Sequence, residues 1–232
     1  MPLCSPHENG EGPEIGDQII KHILRLLGHE KMRLIEIFYS MQGEGPAMGR
    51  PATFVRLADC NLRCEGCDTD KEPTRTIALS ALLEEIRLLG HRVVITGGEP
   101  TLQMAELSEL ISALKCMCKE IHIETNGTNP IDAAILEKIH YAVVSPKRGS
   151  NFHLDYWADK ANVHLKFVLG TAAWCWTSEQ LEELVSGLDR ERVWIMAYGT
   201  DQDMRGARVA WDLALRLGVN YSDRLHIRLR RR

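Results

Sequence analysis

The chain has 232 residues, 44% hydrophobic and 26% charged, with a net charge of −4, which suits one globular domain large enough to bury a core. The acidic balance argues against broad capture of nucleic acid or an anionic membrane surface. No apolar run approaches the roughly 18 residues that span a bilayer, and the polar start Met1–Gly10 lacks the apolar centre of a signal peptide. Seven cysteines, grouped as 60/64/67 and 116/118 with singles at 4 and 175, do not form a secreted disulfide framework, so a reducing cytoplasm is expected.

Residues 1–31 read as an extension, with a Gly/Pro/Glu-rich start and a short amphipathic helix over Ile15–Leu27 that ends at Gly28. The main domain, residues 32–232, opens with an alternating strand, Arg33–Tyr39. In the following loop, Ser40-Met-Gln-Gly-Glu-Gly-Pro46, the glycines permit close backbone approach to a ligand, and Gln42 and Glu44 stand between them. The strand Ala52–Ala58 carries Arg56 into a cysteine loop. A helix over Ala78–Leu89 and a strand His91–Ile95 lead to Thr96-Gly-Gly-Glu-Pro100. Next come a helix over Met104–Leu114 and a strand Ile121–Glu124 that runs into Glu124-Thr-Asn-Gly127. A helix Ile131–Ile139 is followed by a strand Tyr141–Val144 and Ser145-Pro-Lys147. The strand Val163–Leu169 carries Lys166, costly to bury without an anionic partner, so that its ammonium either snorkels or pairs with a site carboxylate. Thr177-Ser-Glu-Gln180 is a capping box for a helix to Ser186. A strand Arg192–Ala197 and a helix ending at Leu217, capped by Gly218, complete a sixth β-α pair.

Strands alternating with helices predict a parallel sheet. The polar motifs stand just after strands, at the carboxyl ends where such folds build active sites. Six strands are too few to close an eight-stranded barrel, so an open, partial (β/α)6 TIM-like barrel of α/β class is predicted.

The chemistry centres on Cys60-Asn-Leu-Arg-Cys64-Glu-Gly-Cys67. Three soft thiolates in a tight loop can hold three irons of a cubane cluster and leave one iron open. Zinc in a purely structural binding module is the rival reading; it wants a fourth ligand, for which Asp59, Asp68 and Asp70 stand nearby.

The C-x3-C-x2-C spacing resembles the signature of the radical S-adenosylmethionine (SAM) enzymes, in which SAM chelates the open iron of a 4Fe-4S cluster. Gly97-Gly-Glu-Pro100 is similar to the element of those enzymes that meets SAM's amino group, which implies SAM contacts for Gly98 and Glu99. Glu124 and Asn126 match a segment near the SAM ribose and methionine, and Ser145, Pro146 and Lys147 another SAM-facing run. Phe38–Pro46, Gly49–Pro51, Phe54–Arg56 and Cys67-Asp-Thr69 resemble the 7-carboxy-7-deazaguanine synthase family, and the likeness covers roughly residues 32–228.

That resemblance implies contacts of Met41, Gln42, Gly43 and Glu44 with a pterin edge, and of Arg56 with the substrate carboxylate through a two-toothed guanidinium. It also implies Mg²⁺ on Thr69, substrate contacts for Thr96 and His226, a one-electron donor such as flavodoxin or ferredoxin, and a homodimer. The implied reaction turns 6-carboxy-5,6,7,8-tetrahydropterin into 7-carboxy-7-deazaguanine with loss of ammonia, in deazapurine (queuosine or archaeosine) biosynthesis. The alternative is a glycyl-radical activating enzyme, which shares the cysteine spacing, acts on a protein, and has no need of Gln42, Glu44 or Asp68-Thr69.

Overall fold

Strand alternation determines what lies inside this fold. The computed structural model describes residues 31–199 and 204–231; the helix predicted at Ile15–Leu27, and with it the reading of 1–31 as an extension, lies outside the described residues. The strands are β1 (Lys31–Met41), β2 (Pro51–Leu57), β3 (Arg75–Ala78), β4 (Arg92–Gly97), β5 (Glu120–Thr125), β6 (Tyr141–Val144), β7 (Val163–Leu169), β8 (Val193–Ala197) and β9 (Asn220–Ser222). The helices are α1 (Leu79–Arg87), α2 (Met104–Cys116), α3 (Ala133–Leu136), α4 (Leu154–Ala158), α5 (Ser178–Val185), α6 (Arg205–Leu217) and α7 (Leu225–Arg228).

One sheet runs in the order β3-β1-β2-β4-β5-β6-β7-β8-β9 and is not closed. From β2 to β9 every neighbour is parallel, and the six strands predicted as parallel are the first six of that run. β1 pairs antiparallel with both β2 and β3. The open partial barrel is therefore the observed architecture, enlarged by two antiparallel strands at one edge and by the short β9 at the other. Neither β3, with 4 residues, nor β9, with 3, is long enough to show a period of two.

On the outer face, Val55, Leu57, Ile95, Ile123, Val144, Leu165, Phe167 and Ile195 join the buried stripes of the helices in one core. Leu79, Leu82, Leu83 and Ile86 of α1 and Leu107, Leu110, Ile111 and Leu114 of α2 supply those stripes, at the i, i+3, i+4 spacing of an amphipathic helix. The capping box of α5 forms with both reciprocal bonds. The helix predicted over Ile131–Ile139 shrinks to α3, where Asp132 accepts from Ala134 N at 2.8 Å and caps it. The helix α4 was not expected; its buried Trp157 donates to Gly127 O at 2.9 Å.

The inward face carries the alternate residues. Near the amino ends of the strands they form a floor of rings. His122 stacks on Tyr141 with centroids 3.8 Å apart, Tyr141 meets His164 edge-on at 5.3 Å, and Trp194 Nε1 lies 3.2 Å from His164 Nδ1. Arg92 grips Glu120 with two bonds of 2.8 and 2.7 Å, and Glu120 Oε1 lies 2.9 Å from His122 Nε2. The side chain of His122 is 1% exposed, and burial first, then the nearby Arg92 and His140 against the pull of Glu120, brings its pKa down to about 4.

A depressed histidine pKa makes stability fall on acidification. The unfolded imidazole takes its proton near its ordinary value of 6.5, whereas the folded one stays neutral until about 4, so stability present above the first value is lost on descent toward the second. On that basis alone His122 costs about 2 kcal/mol of stability by about pH 5. We expect the urea midpoint to drop between about pH 7 and about pH 5, and to drop less in His122→Phe. A midpoint with the same pH slope in both proteins would show that His122 carries none of this dependence.

Candidate active site

At the carboxyl ends of the strands the lumen opens into a cavity of about 320 Å³, within the range of small-molecule sites. Every site residue expected from the sequence lines it except Glu99 and Pro146.

One wall is the cysteine loop with the strand ends beside it. Cys60, Cys64 and Cys67 are free thiols on this wall, and Cys67 is exposed. The end of β4 lies against the end of β2, and only glycine fits there. A Cβ on Gly97 would stand 2.0 Å from Leu57 O, and one on Gly98 1.9 Å from Asp59 O. The contact is fixed by backbone bonds, Gly98 N to Leu57 O at 3.0 Å and Glu99 N to Asp59 O at 2.7 Å.

Glu99 is fully buried. Its Oε1 accepts from Thr101 N at 3.1 Å, Thr101 Oγ1 at 2.6 Å and Thr125 Oγ1 at 2.7 Å, and its Oε2 accepts from Asn126 N at 2.7 Å. Its place is behind the wall, where it sets Asn126. Asn126 Nδ2 in turn donates to Asn61 Oδ1 at 2.9 Å, with Cys60 Sγ 4.0 Å away. Pro146 also acts from behind, its carbonyl accepting from Trp176 Nε1 at 2.9 Å. Lys147 Nζ donates to Ser145 O at 2.8 Å and Ser145 Oγ at 2.6 Å and lies 5.4 Å from the Trp174 ring centre. Burial, with Lys166 adding to it, brings the Lys147 pKa down to about 8. Burial raises the Cys64 thiol pKa while Lys147 pulls it back.

The opposite wall is built from the loop after β1 and the inner face of the sheet. Gln42 Nε2 donates to Glu124 Oε1 at 2.9 Å, and Thr96 Oγ1 donates to Glu124 Oε2 at 2.8 Å. Glu124 was expected beside Asn126 near SAM; its bonded partners are instead two residues expected on the substrate side. The reason is alternation, because Glu124 points into the lumen, whereas the next two residues leave the strand toward Glu99.

Lys166 is paired rather than snorkelling: its Nζ bonds Glu44 Oε2 across the lumen. Burial opposes both charges, yet mutual attraction prevails, so Glu44 is held below the usual carboxylate range and Lys166 above the usual lysine range. Gly43 lets the C-terminal segment close on this loop. A Cβ there would sit 2.2 Å from His226 Nδ1, and Leu225 N donates to Gly43 O at 3.0 Å. His226 belongs to the short helix α7.

Arg56 is already partly engaged. Its Nε donates to Glu36 Oε1 at 3.0 Å and its Nη1 to Thr69 Oγ1 at 3.1 Å, with its guanidinium 5.8 Å from the Phe38 ring centre. One edge of the guanidinium expected to fork a substrate carboxylate thus faces Glu36. Glu36, Trp174, Tyr198 and Arg224 also line the cavity and were not singled out from the sequence. Glu36 shares its strand face with Phe38 and Ser40, so alternation along β1 is the signal that could have found it.

The donor set bears on the metal. Among the described residues no three His, Cys, Asp or Glu side chains gather to hold one metal ion. Three thiols spread along a wall fit a cluster of several irons better than a single zinc. An amide, a hydroxyl and an ammonium on the adjoining strand ends offer the polar partners that an amino-acid-bearing nucleoside requires.

Known proteins agree with this geometry. Residues 55–167 match the Radical SAM superfamily. The chain is 36% identical over 219 residues to the 7-carboxy-7-deazaguanine synthase of Hyperthermus butylicus, covering 84% of this chain and 92% of that one. It is 36% identical over 214 residues to the synthase of the same name from Pyrobaculum aerophilum, with coverage of 85% and 94%. In fold it matches the crystal structure of QueE from Escherichia coli with a TM-score of 0.68 at 24% identity, over 88% of this chain and 98% of that one. SAM and a 4Fe-4S cluster are the cofactors that go with the superfamily. Relatives alike over nearly their whole length, and a cavity in which a three-cysteine wall faces a polar pocket, lead to one conclusion: the chain is a radical SAM enzyme of the 7-carboxy-7-deazaguanine synthase family.

Proposed function

We propose that the protein converts 6-carboxy-5,6,7,8-tetrahydropterin to 7-carboxy-7-deazaguanine with loss of ammonia, a step of deazapurine biosynthesis. The observation that carries this reading is the Gln42–Glu124–Thr96 chain set opposite the three cysteines in one cavity. An amide and a carboxylate side by side present a donor and an acceptor, which suits the amino-pyrimidinone edge of a pterin. The relatives give no support to an enzyme that acts on a protein.

Bound at the thiolates of Cys60, Cys64 and Cys67, the cluster with SAM supplies one-electron cleavage and a hydrogen-abstracting radical. The chain holds and orients what that chemistry needs. Gly98, Asn126, Ser145 and Lys147 face SAM, with Glu99 and Pro146 positioning them. Met41, Gln42, Gly43, Glu44, Thr96, Glu124 and His226 face the heterocycle. Glu44, kept ionised by Lys166, accepts hydrogen bonds and does not give a proton at neutral pH. Arg56 meets the substrate carboxylate with the part of its guanidinium that Glu36 leaves open. Closed around a bound ring, these walls exclude water from the reacting carbon.

Thr69 is the Mg²⁺ ligand in this reading. Its hydroxyl offers one neutral hard oxygen, and Mg²⁺ fills the rest of such a shell with water and substrate oxygens. The Arg56 guanidinium 3.1 Å away disfavours a cation until a substrate carboxylate arrives, so the metal and the substrate enter together. A flavodoxin- or ferredoxin-like donor belongs to the same proposal, supported by the exposure of Cys67. A homodimer does too, supported by the exposed Trp211 and Leu215 on α6 beside the edge strand β9. No described helix is long and apolar enough to cross a membrane, and the cysteine pattern supports a cytoplasmic place.

The direct test is anaerobic incubation of the reconstituted enzyme with reductant, SAM and the carboxylated tetrahydropterin, with product identified by mass. Absence of the deazaguanine while SAM is cleaved would refute the reading. A triple Cys60/Cys64/Cys67→Ala variant should lose its iron and the broad visible absorption of the cluster, and Cys116→Ala should keep both; full iron in the triple variant would remove the cluster from these thiols. For the metal, product formation is followed against Mg²⁺ concentration after stripping. Thr69→Ala should need roughly tenfold more Mg²⁺ than wild type while SAM binding is unchanged, and Thr69→Ser should stay near wild type because the oxygen survives. Coincident curves for all three proteins would take Thr69 out of the metal site.

A further inference from the structure

Arg224 enters the cavity from the segment between β9 and α7. The backbone bond from Leu225 N to Gly43 O at 3.0 Å holds this segment to the wall, and the Asp223 carboxylate accepts from Arg224 N at 2.8 Å. Its side chain is only 14% exposed, and its Nη2 is buried with no hydrogen-bond partner among the described residues. The acid that faces it, Asp68, is 53% exposed and stands 3.6 Å from Nη1, beyond a hydrogen bond. A guanidinium cannot shed its proton. Kept from water, it calls for an anion that makes real hydrogen bonds.

The other acids of the cavity have direct partners. Glu44 bonds Lys166, Glu36 bonds Arg56, and Glu124 accepts from Gln42 and Thr96. Arg56 for its part gives Nε to Glu36 and Nη1 to Thr69, so a carboxylate meeting Arg56 alone finds no free two-toothed edge on the Nε side. The Asp68–Thr69 step joins the two arginines. Thr69 Oγ1 meets Arg56 and, at 3.3 Å, Asp68 Oδ1, and the second oxygen of Asp68 faces Arg224. Two guanidinium groups therefore flank one dipeptide of the cysteine loop, and one of them has its nearest carboxylate beyond hydrogen-bond distance and a buried Nη2 with no partner among the described residues.

We propose that Arg224 is a specificity-determining residue, a second guanidinium that together with Arg56 reads the substrate carboxylate across the Asp68–Thr69 step. The proposal rests on the pterin reading above. A pterin without the carboxylate would leave Arg224 as it is now, buried and unsatisfied, and a site with such a group rejects the analogue that cannot fill it. Arg224 discriminates between ligands, and its removal weakens only the acidic one.

The experiment measures affinity of the cluster-loaded, SAM-bound enzyme for two probes, 6-carboxytetrahydropterin and tetrahydropterin without the carboxylate, under anaerobic conditions. Wild type should prefer the carboxylated probe. Arg224→Gln should lower that preference by about tenfold or more, through lost affinity for the carboxylated probe alone, with iron content and SAM affinity unchanged. Arg224→Lys should retain part of it, since the charge survives and the fork does not. Asp68→Asn should keep the preference, because the guanidinium is still there. Equal weakening of both probes by Arg224→Gln, or loss of the preference in Asp68→Asn as well, would make Arg224 a tie across the cavity mouth and overturn the proposal. If the Gln variant loses its iron, the comparison of Arg224→Lys with Asp68→Asn decides on the same criterion. A wild type that converts the carboxylated pterin while Arg224→Gln keeps full preference overturns this proposal alone. A wild type that binds neither probe overturns the pterin reading, and this proposal falls with it.

Discussion

A single buried carboxylate holds the cofactor wall together. Glu99 has no exposed surface and accepts four hydrogen bonds, two from Thr101 and one each from Thr125 and Asn126. These donors come from the turn after β4 and from the end of β5, so the carboxylate joins two neighbouring strand ends at the point where both leave the sheet. On its other side the backbone of Gly98 and Glu99 is bonded to Leu57 and Asp59, the residues that lead into the cysteine loop. Three consecutive strand ends thus become one rigid unit. Replacing Glu99 by an apolar residue would strand its donors in a place without water, which costs far more than the bonds contribute individually. The glycines at 97 and 98 serve the same unit, because a side chain at either would drive the strand ends apart.

The substrate wall is held by different forces. Glu44 and Lys166, 122 residues apart in sequence, meet across the lumen, and each favours the charged form of the other against the effect of burial. A buried pair of this kind adds little net stability compared with an apolar pair of similar volume, whereas loss of one partner is costly. Its value is in specifying position, since it fastens the loop after β1 to β7. The C-terminal segment then fastens to that loop in turn, by Leu225 N on Gly43 O and by the imidazole of His226 against Gly43.

The legible parts of the sequence were those with a period or a spacing. The six parallel strands, the helical stripes of α1 and α2, the capping box of α5 and the strand-end motifs all follow from local chemistry, and they put the cavity at the carboxyl ends of the sheet. Short elements escaped, because β3 and β9 hold too few residues to alternate and exist through pairing with β1 and β8. Side-chain direction at a strand end escaped as well. Glu124 and Asn126 are two residues apart, yet one bonds Gln42 and Thr96 and the other is held by Glu99, a division that depends on where the strand stops. Arg56 was recognisable as a cavity arginine, but its engagement by Glu36 depends on the antiparallel register of β1 with β2, in which the two residues lie opposite each other. Arg224 was not singled out beside His226; it matters because the chain end folds back over a loop some 180 residues earlier.

The two walls therefore divide the work of the site by the kind of bond that holds each. The cofactor wall relies on backbone bonds, glycine contacts and one saturated carboxylate, none of which can be exchanged for a ligand without breaking the fold. A cluster and the cofactor beside it need that fixity, since small displacements of a reacting centre are costly in rate. The opposite side relies on charged side chains that a ligand can engage, with Arg56 and Arg224 reaching toward the Asp68–Thr69 step of the cysteine loop in a row that ends in an unsatisfied nitrogen. An incoming carboxylate can join that row without disturbing the strands beneath it. On the proposed reading, rigidity lies where the radical chemistry would begin, and the exchangeable contacts lie where the substrate would bind.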